Sequence, residues 1–467
     1  MFAHQYNPED TIVAITTPAG KGAVGMIRIS GNIAFSLTES LTKKEINAWP
    51  SHTIHLSRFY EKEEIIDEGL VLKFNGPNSY TGEDTIELNC HGSPLILQKT
   101  LQTLISLGAR MAAPGEFTFR AFMNGKLDLA QAEAVADIIN AESEKGLTNA
   151  LKHLKGGFSK SIQTLRTDLI KFASLIELEL DFGEEDVEFA ERGALLKKIE
   201  ELRIEITLLI ESFKVGNAIS KGIPTAIVGK PNAGKSSLLN TILNDDRAIV
   251  SNIAGTTRDT IEELFNINGV LYRLIDTAGI RETEDVIEKI GVKKALEKIS
   301  EADIVLYLID AVTFNITELR DLINAQYHQN SKLIVCFNKI DLLTENELLE
   351  FQTNINHEKL LKHGIETLFI STTKKQGIAE LKELMSKDIL NQLRANEQLL
   401  TNNRHYEALC KANEQLLLCK KAIEQRISND LLAEDLKLAL YHLGEISGTI
   451  SNDDLLESIF RDFCIGK

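Results

Sequence analysis

Residues Gly229 to Ser237 read Gly-Lys-Pro-Asn-Ala-Gly-Lys-Ser-Ser, and this stretch limits the fold more than any other. It fits the phosphate-loop pattern G-x-x-x-x-G-K-[ST]. The run Thr225-Ala226-Ile227-Val228 before it predicts a buried strand, and Ser237-Leu238-Leu239-Asn240 after it opens a helix. A polyphosphate favours that junction, because glycines let main-chain N–H groups converge on an anion at a helix N-terminus. Asn232, Ala233, Gly234, Lys235, Ser236 and Ser237 are therefore candidate nucleotide contacts. Lys235 would reach the outer phosphates and the Ser236 hydroxyl would ligate Mg²⁺.

Two further elements follow in order. Asp276-Thr277-Ala278-Gly279 comes after the apolar run Leu271 to Ile275. An acid at a strand end can hold the Mg²⁺ shell, and the glycine N–H can meet a γ-phosphate. Asn338-Lys339-Ile340-Asp341 comes after Leu333 to Phe337. The Asp341 carboxylate can accept from guanine N1–H and its exocyclic amine, which adenine cannot match; a site built on such bonds selects GTP over ATP. Between the first two elements lies Gly255-Thr256-Thr257-Arg258-Asp259, with a threonine able to complete the Mg²⁺ shell. The set resembles the translation-factor-like branch of small GTPases, although Ser371-Thr372-Thr373 stands where S-A-K is usual. Ile280 occupies the position after the D-x-x-G glycine. An apolar side chain cannot orient water, so Glu282, Glu284, Asp285 and Glu288 are the candidates for that task.

The 467 residues suffice for two to four domains. Residues 1–120 alternate short apolar runs with glycine turns, predicting an α+β domain. Its strands fall at Thr11 to Ile15, Met26 to Ile29, Gly69 to Phe74 and Thr85 to Leu88, and a helix falls at Leu95 to Leu107. Residues 121–218 and 385–467 carry helical periodicity, and 219–384 alternate strand and helix signals. The economical architecture is one discontinuous α-helical domain with an α/β nucleotide domain inserted into it, behind the α+β domain. The acidic stretch Asp181 to Glu191 is read as a solvated loop rather than a metal site.

A net charge of −17 argues against a broad nucleic-acid-binding surface. The five cysteines show no paired spacing, as expected of reduced thiols in a cytosolic protein. The first ten residues carry acids and no apolar core, so no secretory signal is expected, and no run is long enough to span a bilayer.

At this point the chain resembles the MnmE, or TrmE, family of tRNA-modification GTPases, nearly end to end. Stretches outside the nucleotide domain carry the likeness: Pro77 to Asp84, Pro114 to Thr118, Asn124 to Glu133 and the terminal Cys464-Ile465-Gly466-Lys467. The resemblance implies an N-terminal domain that binds 5,10-methylene- or 5-formyl-tetrahydrofolate and mediates homodimerisation. Arg28, Glu87 and Lys126 match its folate positions, with Lys467 reaching back from the other terminus. Without the family, Arg28 and Glu87 read as an ordinary surface ion pair. The resemblance also implies a K⁺ ion held by Asn232 and by oxygens of Ser251, Ile253 and Thr256, within the loop Ser251, Asn252, Ile253, Ala254, Gly255, Thr256 and Thr257. Glu288 matches the family's water-orienting acid. Cys464 would lie near the folate pocket, in a covalent or a positional role.

The expected activity is a K⁺-dependent GTPase, with GTP and Mg²⁺, acting beside an MnmG-like flavoprotein that alone holds FAD, in a heterotetramer. Together they would modify C5 of the wobble uridine of certain tRNAs in the cytoplasm. The charge fits a partner that does much of the tRNA gripping. The alternatives are a ribosome-assembly GTPase switch of Era or Der type, and a folate-dependent aminomethyltransferase carrying a regulatory GTPase.

Overall fold

The computed structural model describes residues 7, 9–181, 192–246, 263–275, 302–315, 331–357, 365–395, 399–425, 427–451, 453–461, 463 and 466. The chain divides into two compact units. One comprises Met1–Ala136, Lys152–Glu200 and Lys411–Lys467; the other comprises Asp137–Leu151 and Glu201–Cys410.

The first unit is built on a six-stranded sheet ordered β3-β4-β5-β2-β1-β6. These strands are β1 (Ile12–Ile15), β2 (Val24–Ser30), β3 (Thr53–Glu61), β4 (Glu64–Phe74), β5 (Thr85–His91) and β6 (Arg110–Met111). All neighbours pair antiparallel except β1 and β6. Alternate residues of each strand point to opposite faces. Ile27, Ile29, Val71, Ile86 and Leu88 thus join one core with α1 (Ala34–Thr42) and α2 (Pro94–Ser106). Their neighbours Arg28 and Glu87 lie on the opposite face. The sequence-predicted strands and the helix near Leu95 all appear; β3, β6 and α1 were not anticipated.

Below this sheet, α3 (Glu116–Met123) carries Arg120, whose side chain is 0% exposed. Its guanidinium donates to Glu83, Glu116 and the Asp10 carbonyl, and Arg110 adds a second pair of bonds to Glu116. Burial pushes the Glu116 carboxyl up, but bonds from Arg110 and the Ala113 amide, with the charge of Arg120, outweigh it and hold the group below its usual range. Helices α4 (Leu129–Ile139), α6 (Gly157–Asp181), α12 (Asn429–Ser447) and α13 (Asp453–Arg461) complete the unit, with parts of α7 (Arg192–Lys221) and α11 (Asn403–Glu424). Phe119 and Leu129 pack with Leu456, Phe460 and Phe463, so the C-terminal segment shares a core with α3 and α4.

The second unit holds a six-stranded sheet ordered β12-β11-β10-β7-β9-β8. Its strands are β7 (Ile223–Gly229), β8 (Glu263–Ile267), β9 (Val270–Leu274), β10 (Ile304–Asp310), β11 (Lys332–Asn338) and β12 (Glu366–Phe369). All pairs are parallel except β8 with β9, which are joined by an Asn268-Gly269 turn with φ of 54° and 80°. Parallel strands covered on both faces read as continuous apolar runs, as β10 does. Helices α8 (Lys235–Asp246), α9 (Glu345–His357) and α10 (Ile378–Ala395) flank this sheet. It is the inserted α/β domain that the sequence predicts.

One short helix, α5 (Glu144–Leu154), clasps both points where the chain crosses into and out of this domain. The Ser143 hydroxyl accepts the Gly146 amide, capping α5, and donates to the Ile219 carbonyl near the end of α7 (Arg192–Lys221). Asn149 donates to the Leu399 carbonyl, just before α11 (Asn403–Glu424). The Ser212 hydroxyl of α7 accepts the Leu400 amide, and Phe213 stacks on Tyr406. The Lys145 stem lies against Gly269 in the β8–β9 turn.

Candidate functional site

The phosphate loop turns where the sequence places it, between β7 and α8. Gly229 and Gly234 take φ of 153° and 101°, and Asn232 takes 65°. A Cβ at Gly234 would collide with Asn338 Nδ2, so only glycine fits there. Lys235 Nζ donates to the Gly229 and Lys230 carbonyls at 2.7 and 2.9 Å, so its ammonium folds over the curl of the loop. Burial lowers its pKa, a desolvation that phosphate oxygens would reverse. Ala233 is buried, and Ser236 and Ser237 begin α8. The arrangement fits a nucleotide polyphosphate.

Asn338 ties this loop to the rest of the site. Its side chain is 1% exposed; Nδ2 donates to the Ala233 carbonyl at 2.8 Å and Oδ1 accepts the Thr372 amide at 3.1 Å. Three segments far apart in sequence therefore meet through one amide. Ser371 is buried; its hydroxyl accepts the Lys374 amide and its main chain bridges Gln376. The main chain of Thr372, within the stretch that stands where S-A-K is usual, thus holds Asn338. Asp341 lies exposed in the 3-10 turn Ile340–Leu342, its carboxylate available for a base edge. Lys339, with φ of 68°, pairs with Asp310.

Sequence reasoning gave no role to Asp310 or Thr372. An acid ending the apolar run Ile304 to Ile309 was the available signal for Asp310. Ser251, Asn252, Ile253, Ala254, Gly255, Thr256, Thr257, Asp276, Thr277, Ala278, Gly279, Ile280, Glu282, Glu284, Asp285 and Glu288 lie outside the described residues.

A second candidate site lies on the face of the N-terminal sheet opposite the core it shares with α1 and α2. Arg28 and Glu87 are register partners across β2 and β5. Arg28 Nε and Nη2 both reach Glu87 Oε1 at 2.9 Å, with side chains 12% and 15% exposed. The pair is largely buried, unlike a surface ion pair. Its guanidinium lies 5.1 Å from the Tyr80 ring centre and 5.5 Å from that of Phe117. Arg28 Nη1 is buried with no hydrogen-bond partner among the described residues. A buried N–H left without a partner is costly, and a polar ligand between those rings would satisfy it. The donors fit the acceptor-rich, flat heterocycle of a folate.

Lys126 does not touch the pair. It is exposed, and its Nζ donates to the Pro77 carbonyl, at the start of the loop that carries Tyr80. Gly466 packs against Ile15 and Thr16, at the end of β1 beside β2. Cys464, Ile465 and Lys467 lie outside the described residues. The thiols of Cys90, Cys336 and Cys419 are buried and free, and burial raises each to about 12. No group of three His, Cys, Asp or Glu able to hold a metal occurs among the described residues. No helix among them is long and apolar enough to cross a membrane.

Comparison with known proteins matches the family profile described as the MnmE helical domain over residues 129–464, and that of the GTP-binding protein TrmE N-terminus over 11–126. The tRNA modification GTPase MnmE of Flavobacterium johnsoniae is 49% identical, over 98% of this chain and 99% of the relative. Its counterpart in Cytophaga hutchinsonii is 48% identical, over 99% and 98%. A crystal structure of Aquifex aeolicus Era is 32% identical over 42% of this chain and 67% of that one, with a TM-score of 0.28.

Proposed function

The chain belongs to the MnmE family, as a GTP hydrolase of tRNA modification, and on that premise we propose that it is a K⁺-dependent GTPase acting on the wobble uridine. In this reading the N-terminal pocket holds a tetrahydrofolate one-carbon unit. An MnmG-like flavoprotein carries FAD and joins it in a heterotetramer. The product is an aminomethyl or carboxymethylaminomethyl group at C5 of the uridine in certain tRNAs. The work is done in the cytoplasm, with residues 219–384 as the nucleotide domain and 121–218 with 385–467 as the helical one.

The observation that carries the reading is the coexistence in one chain of two ligand-ready sites, a phosphate loop with Lys235 poised over it and a desolvated arginine between two aromatic rings. Ser236 and Thr257 would hold Mg²⁺, while Asn232, Ser251, Ile253 and Thr256 would hold K⁺. The cations supply positive charge against the charge that grows on the phosphates during transfer. Lys235 would bind the outer phosphates, Asp276 would hold the Mg²⁺ shell, Gly279 would offer its N–H to the γ-phosphate, and Glu288 would orient the attacking water. Asn338 and Asp341 select guanine.

Arg28 and Glu87 would grip the folate heterocycle, with Lys126 and Lys467 for its charged tail. Support for a homodimer comes from Ile54, Leu56 and Leu70, which form an exposed apolar strip on β3 and β4.

The test is GTP turnover by the purified protein in K⁺ against Na⁺ buffer of equal ionic strength. A large acceleration by K⁺ alone is expected. Equal rates would remove the potassium mechanism and favour a binding switch of the Era type.

A further inference from the structure

The nucleotide site contains a second lysine whose ammonium is held by an acid that no motif names. Asp310 is the last residue of β10, the strand between the phosphate-loop strand β7 and the base-side strand β11. Its register partner is Asn338, and the Ala311 amide donates to the Asn338 carbonyl at 2.9 Å, so its main chain is fixed. The carboxylate is fixed as well. Oδ1 accepts the Val312 amide at 3.0 Å, and Oδ2 takes Lys339 Nζ at 2.6 Å. The two side chains are 19% and 31% exposed, so this pair is only partly screened by water.

The alternative fate of that ammonium gives the contact its meaning. Lys235 already serves the phosphate loop, and Asn338, beside Lys339, touches that loop through Ala233. A lysine released near a triphosphate is drawn to the phosphates by Coulomb attraction. Held instead by Asp310, its charged tip stays on the base side, and its four-carbon stem is left to offer apolar surface. We propose that Asp310 is a positioning residue for guanine nucleotide binding: it holds the Lys339 ammonium at the end of β10, so that the lysine stem forms a wall for the purine face while Asp341 reads its edge. This rests on the reading of Asn338 to Asp341 as the base-side segment.

The experiment uses the full chain and N-methylanthraniloyl-GDP fluorescence, with GTP turnover alongside. Asp310→Asn keeps an acceptor for the Val312 amide and removes the charge. We expect about tenfold weaker GDP binding and a matching rise in KM, with kcat at saturating GTP within about twofold, the loss of one charge-assisted hydrogen bond. Asp310→Glu should recover most of the affinity. In a cycle with Lys339→Met the two losses should not add, because both variants break the same pair. Unchanged affinity in Asp310→Asn, equal impairment in Asp310→Glu, or additive losses would each overturn the proposal. Asp341→Ala serves as the control for the underlying reading: if it binds GDP like the parent, the base-side assignment fails whatever Asp310 does.

Discussion

The two sites are built from different material. The phosphate loop is nine consecutive residues whose ligand groups are mainly main-chain N–H bonds, aimed by glycine φ angles. The N-terminal site is made of side chains that the chain order scatters: Arg28 and Glu87 meet only because β2 and β5 pair in one register, and Tyr80 and Phe117 arrive from a loop and a helix. A main-chain site keeps its geometry when most side chains change, whereas a side-chain site depends on each of its members. The first should therefore fail through loss of chemistry, the second through loss of pairing.

The largest effect that would test this separation is at Lys235. Lys235→Ala should lower kcat for GTP by about 10²–10³-fold, as for other donors to a developing oxyanion. Binding of 5-formyl-tetrahydrofolate, followed by calorimetry, should stay within about twofold. A parallel fall in folate affinity would show that the two sites are not separately built.

The converse variant carries Arg28→Gln with Glu87→Gln, which removes both charges and leaves neither partner buried alone. Folate affinity should drop by roughly tenfold or more, the worth of charge-assisted hydrogen bonds, with basal GTP turnover unchanged. Retained folate affinity would reassign the pair to a structural task.

The smallest effect concerns acid. Because Glu116 is held below its usual pKa, its contribution to stability is present above the unfolded carboxyl value. It is lost as pH falls through the lowered one. Urea midpoints measured from pH 7 down to 3 should fall for the parent, and the fall should be shallower in Glu116→Gln. Equal slopes would mean that the Arg110 and Arg120 bonds add no pH-dependent stability.

How much of this was legible in the sequence follows from the same contrast. The phosphate loop, β7, β9, β11 and the Asn338 to Asp341 segment could be read because spacing alone carries their function. A ligand role for residues 28 and 87 came only through resemblance, and the burial of their pair could not be read, since register is a property of the sheet. Helix α1 escaped for a chemical reason. It buries Thr38 and Thr42, poor helix signals, whose hydroxyls are satisfied by the carbonyls of Ala34 and Thr38. Ser143 and Asn149 escaped because nothing in their own neighbourhood shows that the carbonyls they serve are 76 and 250 residues away.

That last arrangement has a mechanical meaning. A tether held at one point is a swivel, and rotation of the load is lost as slack. Here one rod grips both ends of the inserted domain at Ser143 and Asn149, six residues or about 9 Å apart along a helix axis, and rests a third point, Lys145, on the turn beyond β8. Two pins on a rigid rod resist torque as well as tension. A twist of the nucleotide sheet against this eleven-residue helix must therefore break at least one of the three contacts.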